Sequence, residues 1–382
     1  MPPARKRLFV ISPYPVYPVA DGAGRRIDGI CRLLLEKGFE VFLFAPRPEE
    51  SANGTASIAR GIHLVPYARK RKHNYFFNSD LTRILKKHMG EKPELIILHF
   101  PYLAAALYPV ARKHNIPVHL DEHNVEYQRF RDMGRPFVAV LVYFAERHAV
   151  RNARSVSVAS KRDAAIVETK FGRTSTVIEN FIDTERFFPI SEADKVEMKK
   201  SLGMDFPKIV CYFGNFTNVS TKQAYRIISE KIAPGLMRED PQIKIAVIGK
   251  GLKREKPPVT NMVIVGQVDR IAPYIQLSDM VVVPLVSGGG TRYKILEALG
   301  CGIPVLSTPK GKEGLDLGEK DGVIVADVEA FPEKIAAFFS SRSGPTKFRP
   351  NREDILNKYS LSGIAQKFDF QKTFGLTGIQ TS

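Results

Sequence analysis

The sequence predicts an α/β protein of two domains, each a parallel sheet wound with helices. Apolar, β-rich runs alternate with stretches of helical periodicity along the chain, and the runs fall into two series separated by polar, mixed sequence from Thr184 to Phe206. The chain's 382 residues exceed what one core usually spans, and an apolar content of 44% fills two. The first series is LFVI at 8–11, VFLFA at 41–45, LIIL at 95–98, VHL at 118–120 and VSVA at 156–159. The second is IVCYF at 209–213, IAVIG at 245–249, VIVG at 263–266, MVVVP at 280–284 and PVLS at 304–307. Strands separated by helix-length segments are joined by crossovers rather than hairpins, which makes the sheets parallel. The linker falls near Pro189, giving domains 1–189 and 190–360, with 361–382 as a C-terminal helix or tail packing back toward the first domain.

Taken in order, the first strand runs into the loop Gly22-Ala23-Gly24-Arg25-Arg26. A dinucleotide fingerprint would place a third glycine where Ile27 stands and an acidic residue at the end of the next strand, whereas Glu40 precedes VFLFA. A nicotinamide site is excluded on these grounds, and Gly22 and Gly24 serve either a ligand or a plain strand-to-helix turn. His123 follows VHLD, at the carboxyl end of a strand, within the phrase DEHNVE at 121–126. In the second domain the stretch from Gly288 to Gly311 is the most informative. Its glycines open a helix whose first N–H groups, those of Gly290, Thr291 and Arg292, suit a phosphate, and the Arg292 fork adds to them. Ile295, Leu296 and Leu299 form an apolar stripe, and Glu297 is expected away from it, facing solvent or a ligand. Gly302 and Pro304 stop the helix. The spacing to Lys294 is not that of a Walker A loop, and the bland reading is an ordinary β-loop-helix-β unit with Lys294 and Glu297 as a solvated pair.

Taken whole, the segment GGGTRYKILEALG resembles the nucleotide-sugar site of the family 4 retaining glycosyltransferases. Four further phrases support the resemblance in the family's order: the opening strand and glycine loop, DEHNVE, ENFIDTERFFP at 179–189, and KIVCYFGNF at 208–216. The resemblance implies the GT-B fold, two Rossmann-like domains with parallel sheets facing across a cleft. It implies retaining transfer of a sugar from a nucleotide-diphosphate donor to a hydroxyl acceptor, a glycan or lipid-linked glycan of the cell envelope. It assigns His123 and Glu297 catalytic roles, His123 beside the reacting sugar and Glu297 on the ribose. Nucleotide-sugar contacts are carried to Gly22, Gly24, Lys222, Gly266, Val268, Gly289, Gly290, Thr291, Arg292 and Glu297, the base lying near Gly266–Val268. Two departures stand out: Gly289 occupies the place of a common first glutamate, and the loop 214–222 lacks the usual arginine of a diphosphate clamp, leaving Lys222. Alternatives on the same fold are an epimerase and a non-catalytic nucleotide-sugar or membrane-binding protein.

No metal or other cofactor is expected, because no Asp-x-Asp or histidine-carboxylate phrase appears. Cys31, Cys211 and Cys301 lie far apart and read as small buried residues rather than a disulfide framework. The apolar run after the charged first residues is too short for a signal peptide, and no stretch reaches transmembrane length, so the reading is a cytoplasmic chain, peripheral on the inner face of the membrane. Net charge is +17, and residues 1–190 carry 30 basic against 19 acidic side chains, leaving +11 in the first domain. The clusters Arg69–Lys72, Lys86–Lys87 and Arg129, Arg131 and Arg135 suit an anionic membrane carrying a lipid-linked acceptor, with Phe137–Ala145 as either a buried helix face or a membrane-dipping one. No zinc finger, basic zipper or RNA-recognition phrase points to nucleic acid.

Overall fold

The computed structural model describes residues 6–19, 21–47, 61–68, 76–253, 256–288, 292–341 and 350–375. Gly289, Gly290 and Thr291, and the basic cluster Arg69–Lys72, lie outside the described residues. The chain forms two compact units: one from the N-terminal part through Phe181 together with the segment from Ile364, the other from Ile182 to Gly288 and Arg292 to Gly363. The polar segment after Thr184 suggests a later boundary, near Pro189. The change comes earlier because Ile182 donates its N–H to the Tyr359 carbonyl at 2.7 Å, and Phe187 is buried in the second core.

The first unit holds a seven-stranded sheet in the order β3-β2-β1-β4-β5-β6-β7, every pairing parallel. The strands are β1 Arg7–Ile11, β2 Glu40–Pro46, β3 Ile62–Tyr67, β4 Leu95–His99, β5 Val118–Glu122, β6 Ser155–Val158 and β7 Thr176–Val177. Helices cover both faces, which is why β4 and β5 are buried at every residue. The helix Gly22–Glu36 starts at Asp21, whose carboxylate accepts the Gly24 N–H, and buries Ile27, Ile30, Leu33 and Leu34. Its Gly29 is required by packing: a Cβ there would stand 2.4 Å from the Phe181 ring. The C-terminal helix Phe370–Phe374 belongs to this unit, with Phe370 stacked on Phe39 at 4.5 Å and the Arg154 guanidinium donating to the Gly375 carbonyl at 2.8 Å. Strand order reverses between β1 and β4, and ligands of such sheets bind at the carboxyl ends beside that reversal.

The second unit repeats the plan with six parallel strands, β10-β9-β8-β11-β12-β13. These are β8 Lys208–Phe213, β9 Ile243–Ile248, β10 Met262–Gly266, β11 Met280–Val283, β12 Val305–Ser307 and β13 Val323–Val325. The reversal falls between β8 and β11. The helix Tyr293–Gly300 follows β11 and returns the chain to β12. It stops because Gly302 takes φ +75°, so that Gly302 and Ile303 donate N–H groups to Leu299 and Ala298. The three cysteines are buried and unbridged.

Candidate active site

In the first unit, β4 and β5 deliver His99 and Asp121 side by side in register, and His123 follows one residue past β5. All three side chains are buried. Asp121 is clamped by the Arg26 guanidinium, whose Nε reaches Oδ2 at 2.8 Å and Nη2 reaches Oδ1 at 2.7 Å; Ser157 Oγ adds a third donor at 2.5 Å. Arg26 Nη1 is held in turn by the Ile178 carbonyl at 2.7 Å and Asn180 Oδ1 at 3.1 Å. His99 Nδ1 stands 3.0 Å from Asp121 Oδ2 and 3.0 Å from His123 Nε2. A carboxylate only accepts, so His99 carries its proton on Nδ1 and shares it between Asp121 and the lone pair of His123 Nε2. That fixes the His123 proton on Nδ1, a buried donor with no partner among the described residues.

Electrostatics agree with this assignment. Burial opposes ionisation of Asp121, yet Arg26 and His99 outweigh it and hold the carboxyl well below the usual range. Burial pushes His123 well below the ordinary histidine range, Asp121 pulling the other way and His99 and Arg26 reinforcing burial. His123 is therefore a neutral imidazole at physiological pH, able to offer a hydrogen bond without a charge. Phe100 covers it, ring centroids 4.0 Å apart, from a backbone with φ +65°. That conformation costs a residue with a Cβ about 1–2 kcal/mol and clusters at functional sites.

His99, Asp121 and His123 are also the one grouping among the described residues close enough to hold a metal ion. Both carboxylate oxygens of the group already accept from Arg26, and the facing nitrogens of the two imidazoles share one proton, which leaves His99 Nε2 and His123 Nδ1 as its nitrogens without a partner among the described residues. Beside them Glu122 is fully buried, with neither oxygen partnered. Burial, then Glu146, Glu126 and Asp121, drive its carboxyl well above the usual range, so it stays protonated. Glu126 binds Tyr102, Arg129 and Asn124, and Glu146 accepts the N–H groups of Glu126 and Tyr127. The phrase DEHNVE thus divides its work: Asp121 and His123 build the site, while Glu126 fastens the following helix. Gly22 opens the helix Gly22–Glu36, and the N–H of Gly24 donates to Asp21 Oδ1 at 2.8 Å.

In the second unit, bare backbone lines the carboxyl ends of β8, β9 and β10. Gly214 donates to the Ile248 carbonyl at 3.0 Å and Gly249 to the Gly266 carbonyl at 2.8 Å. A Cβ on Gly249 would fall 1.8 Å from the Gly214 oxygen. Gly266 is buried at φ +83°, and Val268 is half-buried against the core. Lys222 is exposed in the first turns of the helix Val219–Ile227.

The helix Tyr293–Gly300 corrects one expectation. It is buried nearly all round rather than on one stripe, so Glu297 is 3% exposed and faces no solvent. Lys294 is half-buried, and its Cε and Nζ lie 3.0 Å from where a Gly214 Cβ would be, at the loop that lacks a clamp arginine. Arg292 is buried and turned within its own unit toward Glu313 Oε2 at 3.5 Å and the Gly288 carbonyl at 3.4 Å. His99, Arg26 and Lys294 are the residues that sequence reasoning missed. A histidine ending LIIL, one register from Asp121 once β4 and β5 are set side by side, was the available signal.

Residues 20–186 match the family model described as Glycosyltransferase Family 4, and residues 207–341 match that described as Glycosyl transferases group 1. No curated protein matches the sequence. Among solved structures, the chain is similar to sucrose-phosphate synthase from Thermosynechococcus elongatus at 16% identity and TM-score 0.73, covering 95% of this chain and 97% of that one. It is similar to Anabaena HepE in complex with UDP and glucose at 16% identity and TM-score 0.71, covering 95% and 98%. TarM aligns at 11% identity and TM-score 0.73 over 98% and 99%. Two family matches that follow one another along most of the chain, on a fold shared over nearly its whole length, place the chain among the family 4-like glycosyltransferases of the GT-B fold.

Proposed function

We propose that the protein transfers a sugar, with retention of anomeric configuration and without a metal ion, from a nucleotide-diphosphate donor to a hydroxyl of a glycan or lipid-linked glycan of the cell envelope. The observation that carries this reading is the buried Nδ1 of His123, aimed away from His99 with no partner among the described residues, at the carboxyl end of β5. A neutral imidazole N–H in that place suits an oxygen of the reacting sugar, holding it in position without a positive charge that would oppose the cationic character the sugar gains as the diphosphate leaves. Within the second unit the diphosphate is assigned to Lys222, Lys294 and Arg292, the ribose to Glu297, and the base to the backbone at Gly266–Val268; nucleotide-sugar contacts are further proposed at Gly22 and, outside the described residues, at Gly289, Gly290 and Thr291. With helix N–H groups and cations at hand, the negative charge of the leaving group needs no divalent ion. Because HepE holds UDP and UDP-glucose, UDP-glucose is the first donor to test.

Calorimetric titration with UDP, GDP and ADP and their sugar conjugates identifies the nucleotide, and NMR of the product reports the anomer. We expect one conjugate to bind, the product to keep the donor's configuration, and turnover to survive EDTA. An inverted product, or activity lost to EDTA and restored by manganese, rejects the respective part. The basic first unit is further assigned to an anionic membrane surface carrying the acceptor.

A further inference from the structure

Most exposed large apolar side chains of the described residues are scattered, but Met133, Phe137, Val138, Val140, Leu141 and Phe144 fall together at the start of the helix Pro136–Asn152. Phe137 is 87% exposed, Leu141 69%, Phe144 61% and Val140 56%. Their spacing of three, four and seven residues makes one stripe along the first two turns. The opposite face buries Ala139, Val142, Ala149 and Val150, and Glu146 beneath accepts two backbone N–H groups. The helix is therefore fixed to the unit by its inner face, and the stripe is a rigid outward feature. Arg131 and Arg135 precede it and Arg147 follows it; none of the three is in an ion pair among the described residues, and Glu146 is buried.

We propose that this face is a membrane-docking element: Phe137, Val140, Leu141 and Phe144 enter the boundary between headgroups and acyl chains of an anionic bilayer, while Arg131, Arg135 and Arg147 meet its phosphates. Charge complementarity selects this occupant. A second copy of the chain docked isologously would set the same arginines against one another, whereas an anionic leaflet answers them. No helix of the described residues is long and apolar enough to cross a membrane, so the helix lies in the interface plane. The inference rests on the membrane-surface reading above and names the element that makes the contact.

The chain has no tryptophan, so Phe144→Trp introduces a single reporter. Its emission is expected to shift to the blue with vesicles of phosphatidylcholine and phosphatidylglycerol, and to be quenched by brominated acyl chains. Phe137→Ser with Leu141→Ser should weaken flotation with these vesicles on the order of tenfold or more. Replacing Arg131, Arg135 and Arg147 by Gln should cost roughly fivefold per charge and abolish the preference over pure phosphatidylcholine. Thermal melts of each variant confirm folding, since all the altered side chains point outward. Emission indifferent to vesicles overturns the proposal, as does dimerisation that the serine variants abolish. Flotation of the serine variants equal to the parent's rejects this element while leaving membrane association itself standing. Vesicle binding is read without nucleotide, so failure of the donor titration bears on the transfer reading alone.

Discussion

At the scale of single residues, the histidine past β5 and the glutamate of the helix Tyr293–Gly300 make separate, measurable claims. If His123 Nδ1 donates to the reacting sugar, His123→Ala should lower turnover roughly two- to twelvefold, the worth of a neutral hydrogen bond of about 0.5–1.5 kcal/mol, with nucleotide-diphosphate affinity unchanged. An unaltered kcat removes it from the chemistry. Glu297 poses a different choice now that it is buried: it either accepts from ribose hydroxyls or serves packing alone. Glu297→Gln keeps the shape, so a ribose ligand predicts at least several-fold weaker nucleotide binding with a melting temperature close to the parent's. A lowered melting temperature with parental affinity would make Glu297 a packing residue.

At the scale of elements, most strands are legible because sheets covered on both faces demand unbroken apolar runs, and β4 and β11 are such runs. The strands that escaped sequence reading are at the sheet edges. β3 carries Pro66 and four residues that are not buried, β7 has two residues and β13 three, so neither length nor pattern marks them. The site was legible only in its local phrase. DEHNVE and GGGTRYKILEALG announce His123 and Glu297, but the clamp on Asp121 comes from Arg26, 95 residues earlier, and the fold alone brings them together. Lys294 is similar: helical spacing sets it beside Glu297, and the fold alone brings its Nζ to the loop after β8, 3.0 Å from where a Gly214 Cβ would stand. The glycine-lined ends of β8 and β9 supply a stability test. Gly249 has φ +156°, and its added Cβ would stand 1.8 Å from a backbone oxygen that cannot swing aside. Gly249→Ala should cost more than about 3 kcal/mol in urea unfolding, whereas Gly90→Ala, with nothing within 4 Å, should stay within about 0.5 kcal/mol. A Gly249→Ala protein as stable as the parent would show that these loops part freely.

At the scale of the whole molecule, the dependence of stability on pH is governed from one strand, because the strongly shifted histidines and carboxyls cluster on and behind β5. Glu122 and Glu146 have folded pKa values raised, chiefly by burial, from 4.5, Glu146 to about 8. Their contribution is whole below pH 4.5 and is lost as pH rises toward 8, since the folded chain then keeps protons that the unfolded chain has released. His119, lowered to about 3, and His123 act in the opposite sense: burial keeps them neutral, so their contribution is present above 6.5 and lost as pH falls. Asp121, depressed by Arg26 against the cost of burial, contributes in full above its ordinary 3.8 and loses that contribution only as pH falls below it. Between pH 4.5 and 6.5 the histidines and glutamates oppose each other, and between 6.5 and 8 only the glutamates remain. Stability should therefore fall over that upper interval, by up to about 2 kcal/mol for each carboxyl that stays protonated in the folded chain alone. Glu122→Gln fixes the neutral form at a site where neither oxygen has a partner among the described residues, and removes the proton whose release the pH dependence reports. Calorimetric unfolding of the parent should show the transition temperature dropping from pH 6.5 to 8, and the Gln variant should drop markedly less. Equal slopes for the two proteins, or a parent that gains stability over that interval, would mean that Glu122 ionises in the fold and that solvent or a cation reaches the back of the site.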